Sequence, residues 1–201
     1  MAKVTGVTLP SDLNDTDVAS EANFFNPVYE SLEALDAAVG KMEPLHNSST
    51  DITISNTTET NMATFSVPAG ALGTANIIKI KIFGRAKSDG TGDVDFTLRL
   101  KYGGTTICSC TGYIEGDTGK DNTFILDAIM SEQGTTSLQV GVLQAYGPNF
   151  GIGINQVPTG DTGTGSEDST GILTLSVTAQ LASAIGDIIV YYSEATLIDI
   201  S

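Results

Sequence analysis

Val94-Asp95-Phe96-Thr97-Leu98-Arg99-Leu100-Lys101-Tyr102-Gly103-Gly104-Thr105 decides the fold class. Val94, Phe96, Leu98 and Leu100 alternate with Asp95, Thr97, Arg99 and Lys101. A period of two places the apolar set on one face of a strand and the polar set on the other. Gly103-Gly104 is a two-residue hairpin signal, so Thr105 to Tyr113 should return as the antiparallel partner. Upstream, Ile78, Ile80 and Ile82 alternate with Lys79, Lys81 and Phe83, and Ala63, Phe65 and Val67 with Thr64 and Ser66. Ile52 and Ile54 alternate with Thr53 and Ser55. Downstream, Phe124–Met130, Leu138–Leu143, Leu173–Leu181 and Ile188–Ile198 complete eight or nine strands. No helical pattern lies between them, and parallel sheets need such crossovers. The fold expected from about residue 50 is therefore all-β. It is an antiparallel sandwich, of jelly-roll type because eight strands exceed the immunoglobulin set and no Cys-Trp-Cys pattern is present, with a barrel as runner-up. Ile78, Ile80, Ile82, Phe96, Leu98, Leu175 and Val177 are the expected core. Pro158 to Ser169, rich in Thr, Gly and acids, reads as a long acidic loop.

Composition agrees. The 201 residues include 26 Thr and 22 Gly, which suit strands and turns. Hydrophobic residues at 40 % and charged ones at 16 % exclude a disordered chain. The net charge of −15 opposes electrostatic binding to nucleic acid or an anionic membrane. It is unevenly spread, because the last 81 residues hold nine acids and no Lys or Arg. That suits a solvated outer face, or a surface that meets a basic partner or binds cations. A single His argues against a His-based triad and against a multi-His metal centre. There is no Gly-x-Ser-x-Gly and no phosphate-binding loop. Neither an enzyme nor a cofactor is expected. No apolar run has signal-peptide form or the ~20 residues of a membrane span, so synthesis in the cytosol is expected. Cys108 and Cys110 lie two apart on one strand face, a poor geometry for a disulfide, and should be free thiols.

Three clusters have the residue types of a site. Asp89, Asp93 and Asp95 put three carboxylates in seven residues, as a Ca²⁺ loop would, but without the closing Glu of a twelve-residue loop. The expectation is an ordinary hairpin loop, and no metal site. Asp161, Glu167 and Asp168 receive the same reading. Tyr102, Tyr113, Tyr146 and Phe150 are candidates for a sugar-stacking patch, with packing as the expectation.

Residues 1–45 read as a separate arm and helix, and residues 46–201 as the sandwich. Leu9 to Asp17 is extended and turn-rich. Asn26-Pro27 has the form of an N-cap with proline at the first helical position, Gly40 can cap the other end and Pro44 blocks continuation, so one short helix should span 27–39. Phe25, Val28, Leu32, Leu35, Val39 and Met42 recur at spacings of three and four, a heptad seam of about two heptads. It either packs on its own domain or gathers several copies into a bundle.

Ser20 to Leu32 (SEANFFNPVYESL) resembles the N-terminal attachment segment of tailed-phage fibre, appendage and decoration proteins. Phe65-Ser66-Val67-Pro68-Ala69-Gly70, Ile78 to Gly84 and Phe96 to Thr105 resemble the jelly-roll domains of phage virion proteins, and Leu173–Gln180 and Val190–Leu197 fit their last two strands. The resemblance implies a virion structural protein, usually a homotrimer. Without repetitive shaft sequence, it is more a capsid decoration (cement) or head-fibre protein than a long fibre. The implied partners are a second copy of itself and the major capsid protein or another virion protein. The alternative is a tail appendage or receptor-binding module, with a host surface glycan as ligand.

Overall fold

The computed structural model describes residues 41–73, 76–116, 121–147, 150–151 and 159–199. The chain divides between Val39 and Gly40, and every described residue belongs to the second unit. Its strands are β1 (Lys41–Ser48), β2 (Ile52–Ile54), β3 (Thr60–Val67), β4 (Ile77–Ser88), β5 (Val94–Tyr102) and β6 (Thr105–Ile114), followed by β7 (Asn122–Glu132), β8 (Gln139–Tyr146), β9 (Phe150–Gly151), β10 (Thr159–Gly165), β11 (Leu173–Leu181) and β12 (Gly186–Asp199).

The strands form two antiparallel sheets. A seven-stranded sheet runs β1-β12-β4-β7-β8-β10, with β2 also on β12, and a five-stranded sheet runs β3-β11-β5-β6-β9. β1 pairs residues 193–199 of β12 and β2 pairs residues 188–190, so the two lie end to end along one edge. Four antiparallel pairs are nested in the chain: β1 and β2 with β12, β3 with β11, β4 with β7, and β5 with β6. The innermost is the hairpin of the opening sequence. Gly103 and Gly104 have φ of 59° and 96°, the two positive values a type I′ turn requires and glycine supplies without strain.

One core fills the space between the sheets. All seven expected core residues are at most 2 % exposed. Along β4 buried Ile78, Ile80 and Ile82 alternate with exposed Lys79, Lys81 and Phe83, as period two demands. Each such side chain taken from water stabilises by roughly 1.5–3 kcal/mol. Cys108 and Cys110 form no disulfide and face this core, and burial pushes the Cys108 thiol up to about 12. At the β1 edge His46 closes the gap between the sheets: its ring stacks on Phe65 at 5.4 Å and its Nε2 sits 2.9 Å from Ser193 Oγ.

Three expectations need correction or relocation. The sandwich begins at Lys41, not at residue 46. β1 was hidden because Pro44 and His46 interrupt its period, and the register with β12 shifts between those same residues. Met42, last of the seam positions, is therefore on a strand opposite Ile198 and mostly exposed. Phe25, Val28, Leu32, Leu35 and Val39, the 27–39 helix and the arm lie outside the described residues. Third, the segment read as a loop contains β10, which pairs with β8 over seven residues. Its glycines mark close approach rather than a turn. A Cβ on Gly163 would stand 2.0 Å from the Ile107 carbonyl oxygen, and one on Gly165 would stand 2.1 Å from Ile107 Cδ1. Ile107 sits at a bulge in β6, where the register with β5 shifts, and is 4 % exposed.

Candidate interaction faces

The expected clusters are dispersed by the fold. Asp89 pairs with Lys87 at 2.6 Å, Asp93 Oδ1 accepts from the Gly116 N–H at 2.9 Å, and Asp95 stands exposed on β5. Asp161 accepts from the Ser109 N–H at 3.2 Å, and Asp168 from the Thr170 N–H at 3.0 Å. Among the described residues no three His, Cys, Asp or Glu side chains converge as metal ligands. The tyrosines do not meet either. Tyr102 is buried in the core, Tyr113 lies on the outer face of the five-stranded sheet, and Tyr146 lies on the outer face of the seven-stranded sheet. The Phe150 side chain lies outside the described residues. Among the described residues no helix is long and apolar enough to cross a membrane.

What the fold builds instead is two outer faces of different chemistry. The seven-stranded sheet presents an aromatic and aliphatic surface crossed by charges. Its rows follow from register: Thr196, Lys79, Ile129 and Val142 in one, Glu194, Lys81, Asp127 and Gln144 in the next, Tyr192, Phe83, Ile125 and Tyr146 in the third. Phe83, Ile129 and Val142 are about two-fifths exposed, large values for mid-strand apolar residues. Tyr192 donates to Glu194 at 2.7 Å and Tyr146 to Asp127 at 2.5 Å. Those acceptor carboxylates hold both phenols above their usual range. Phe83 also lies 6.2 Å from Tyr191. A groove of about 520 Å³ runs beside these rows between Met42, Lys79, Lys81, Asp127 and Glu194.

The outer face of the five-stranded sheet carries hydroxyl, amide and charged groups and, among the described residues of β5, β6 and β11, one aromatic residue. β11 contributes Thr174, Ser176, Thr178 and Gln180, β5 contributes Asp95, Thr97, Arg99 and Lys101, and β6 contributes Ser109, Thr111 and Tyr113. Glu59 anchors its centre. It accepts from Thr178 Oγ1 at 2.7 Å and from Lys101 Nζ at 3.1 Å, and Arg99 stands 3.4 Å away. Arg99 in turn donates to Gln180 Oε1 at 3.2 Å, and Gln180 donates to the Thr57 carbonyl at 2.9 Å. Sequence reading missed this network because its members lie up to 123 residues apart and no local spacing links them.

The Thr178 hydroxyl first, then Lys101 and Arg99, hold the Glu59 carboxyl below the usual glutamate range. A depressed folded pKa contributes stability that is complete above the unfolded pKa, about 4.3, and is lost as pH falls through the folded value. Glu59→Gln should therefore melt lower than wild type at pH 7, with the gap closing below about pH 4. Melting curves across pH 3–7 test this. A gap that persists unchanged at pH 3 would remove the ionised carboxylate from the account.

No family model and no curated protein matches the chain. Among solved structures, the CBM2 module of the evolved Dit protein of Lactobacillus casei BL23 phage J-1 aligns with 10 % identity and a TM-score of 0.40, covering 81 % of this chain and 98 % of that one. Lectin II from Ulex europaeus aligns with 9 % identity and a TM-score of 0.32, covering 79 % and 92 %. The structure of infectious bursal disease virus, Gt strain, aligns with 12 % identity and a TM-score of 0.28, covering 80 % and 42 %. Likenesses at these scores carry no functional conclusion. The sandwich stands on its own strand pairing and buried core.

Proposed function

We propose that the chain is a structural protein of a bacteriophage virion, built on a jelly-roll wrap and acting as a trimeric capsid decoration or head-fibre protein. The observation that supports this reading best is the nesting of the four strand pairs, the double Greek-key order of a jelly roll. It puts Leu173–Gln180 and Val190–Leu197 on the final two strands, where the resemblance to phage virion domains requires them. The apolar rows around Phe83, Ile129 and Val142 supply a face on which copies of the chain, or a capsid protein, can close. Residues 1–39 are the attachment segment in this reading, with the Phe25–Val39 seam gathering several copies so that simultaneous engagement adds avidity.

The test uses particles of the phage that encodes the chain, made without it. Added back, the full chain should co-sediment with them, and sedimentation of the free chain should give a trimer. Deleting residues 1–39 should abolish co-sedimentation while leaving a folded sandwich. If the full chain does not bind these particles, the virion reading falls. If the truncated chain binds as well as the full one, attachment lies on the sandwich.

A further inference from the structure

We propose that the end of the five-stranded sheet around Tyr113 is a binding site for a neutral pyranose. The inference stands apart from the virion reading, since it rests on the opposite sheet and on different residues. At this end β5, β6 and β11 border a shallow cavity of about 610 Å³, lined on its polar side by Asp95, Thr97, Thr111, Tyr113 and Gln180. That volume is within the range of small-ligand sites, about 300–1,000 Å³.

Register explains the arrangement. Asp95 is directly opposite Tyr113, and Thr97 lies between Thr111 on one side and Gln180 on the other. Cross-strand neighbours of this kind stand about 5 Å apart, so the five side chains form two adjacent rows. Gln180 is held in place before any ligand arrives, by Arg99 on its oxygen and the Thr57 carbonyl on its nitrogen. The Asp95 carboxylate and the Tyr113 phenol have no side-chain partner among the described residues.

The chemistry of the lining selects the ligand class. A pyranose ring has an apolar face of C–H groups and a rim of hydroxyls. Tyr113 and the Ala182 methyl can cover the face, while a carboxylate, an amide and two threonine hydroxyls address the rim as mixed acceptors and donors. Among the described lining residues Asp95 is the one acidic or basic side chain, and the whole chain carries −15, so anionic sugars, phosphates and nucleic acid are repelled. One carboxylate is too few for Ca²⁺, which takes six to eight oxygens. A neutral hydroxylated ring is what remains.

The experiment titrates the full chain with cellobiose, maltose, lactose and N,N′-diacetylchitobiose, each to about 10 mM, and reads saturation transfer from protein to the sugar C–H protons. At least one disaccharide should show transfer. Tyr113→Ala should weaken its binding about tenfold or more, Asp95→Asn should weaken it by less, and Tyr113→Phe should retain it. Phe83→Ala, on the other sheet, should leave it unchanged. Absence of transfer from all four sugars overturns the proposal, and so does transfer that Tyr113→Ala leaves intact. Because Phe83→Ala alters only the face proposed for protein contacts, loss of particle binding and loss of sugar binding remain separable.

Discussion

Gly163→Ala is expected to destabilise the sandwich by about 3 kcal/mol, the upper part of the usual range for overpacking. Gly163 lies opposite Gly141 in the β8–β10 ladder, and both are pressed toward Ile107 at the β6 bulge. The Cβ that alanine adds would sit 2.0 Å from the Ile107 carbonyl oxygen and 3.1 Å from the Cys108 Cβ. Neither neighbour is the free end of a flexible side chain, so β10 must move off β6. For a domain of about 160 residues, such a loss lowers the melting temperature by roughly 6–12 °C. Gly165→Ala meets a different atom, Ile107 Cδ1 at 2.1 Å, and that atom is absent in valine. Ile107→Val should therefore restore part of the stability lost in Gly165→Ala and none of that lost in Gly163→Ala. Gly171→Ala, where an added Cβ meets nothing within 4 Å, is the control and should be neutral or slightly stabilising. Thermal melts of the set decide the matter. Equal melting of Gly163→Ala and wild type would mean that β10 does not rest on the β6 backbone.

The same glycines show where sequence reading stops. Strands β4 and β5 were legible because one face is buried and the other wet, so burial writes itself as alternation in the chain. The Gly103-Gly104 turn was legible because its dihedral demand is local. β10 was not, because Gly163 and Gly165 are dictated by Ile107, 56 and 58 residues away in the chain, and glycine in isolation signals a turn. β1 was masked by Pro44, tolerated because β1 is the edge of its sheet. The candidate faces were half legible. Alternation tells that Lys79, Lys81 and Phe83 share a face, and that Asp95, Thr97 and Arg99 share another. Which strands lie alongside, and hence that Asp95 meets Tyr113 while Tyr146 is on the opposite sheet, is a property of topology. The Tyr102–Tyr113–Tyr146–Phe150 grouping failed for that reason.

Topology also creates the second large expected effect, at the end of the sandwich where the Gly103-Gly104 turn lies. Gln139 has no exposed surface, and its amide is shared among four partners. Nε2 donates to Glu132 Oε1 at 3.2 Å, to the Glu167 carbonyl at 2.7 Å and to the Thr136 carbonyl at 3.3 Å, while Oε1 accepts from the Glu167 N–H at 2.9 Å. Glu132 is itself 3 % exposed, and its Oε2 has no hydrogen-bond partner. The amide is therefore a principal support for a carboxyl group taken out of water. Burial and the nearby Glu132 and Glu167 push the Tyr102 phenol up to about 12, so it stays protonated at neutral pH. Gln139→Leu keeps the volume and removes every one of these contacts. The buried Glu132 carboxyl and the part-buried N–H and carbonyl of Glu167 lose their partner, while the Thr136 carbonyl keeps the Ser169 N–H, a loss of about 3–5 kcal/mol. Gln139→Leu should be the least stable of all the single variants considered. Adding Glu132→Leu should recover a substantial part of the loss, because an apolar pair of similar volume leaves no buried polar group unpaired. Denaturant titration of the two variants measures both terms, with the change in midpoint read at constant slope. A Gln139→Leu stability within about 1 kcal/mol of wild type, or a double variant weaker than the single, would show that water and not Gln139 satisfies Glu132.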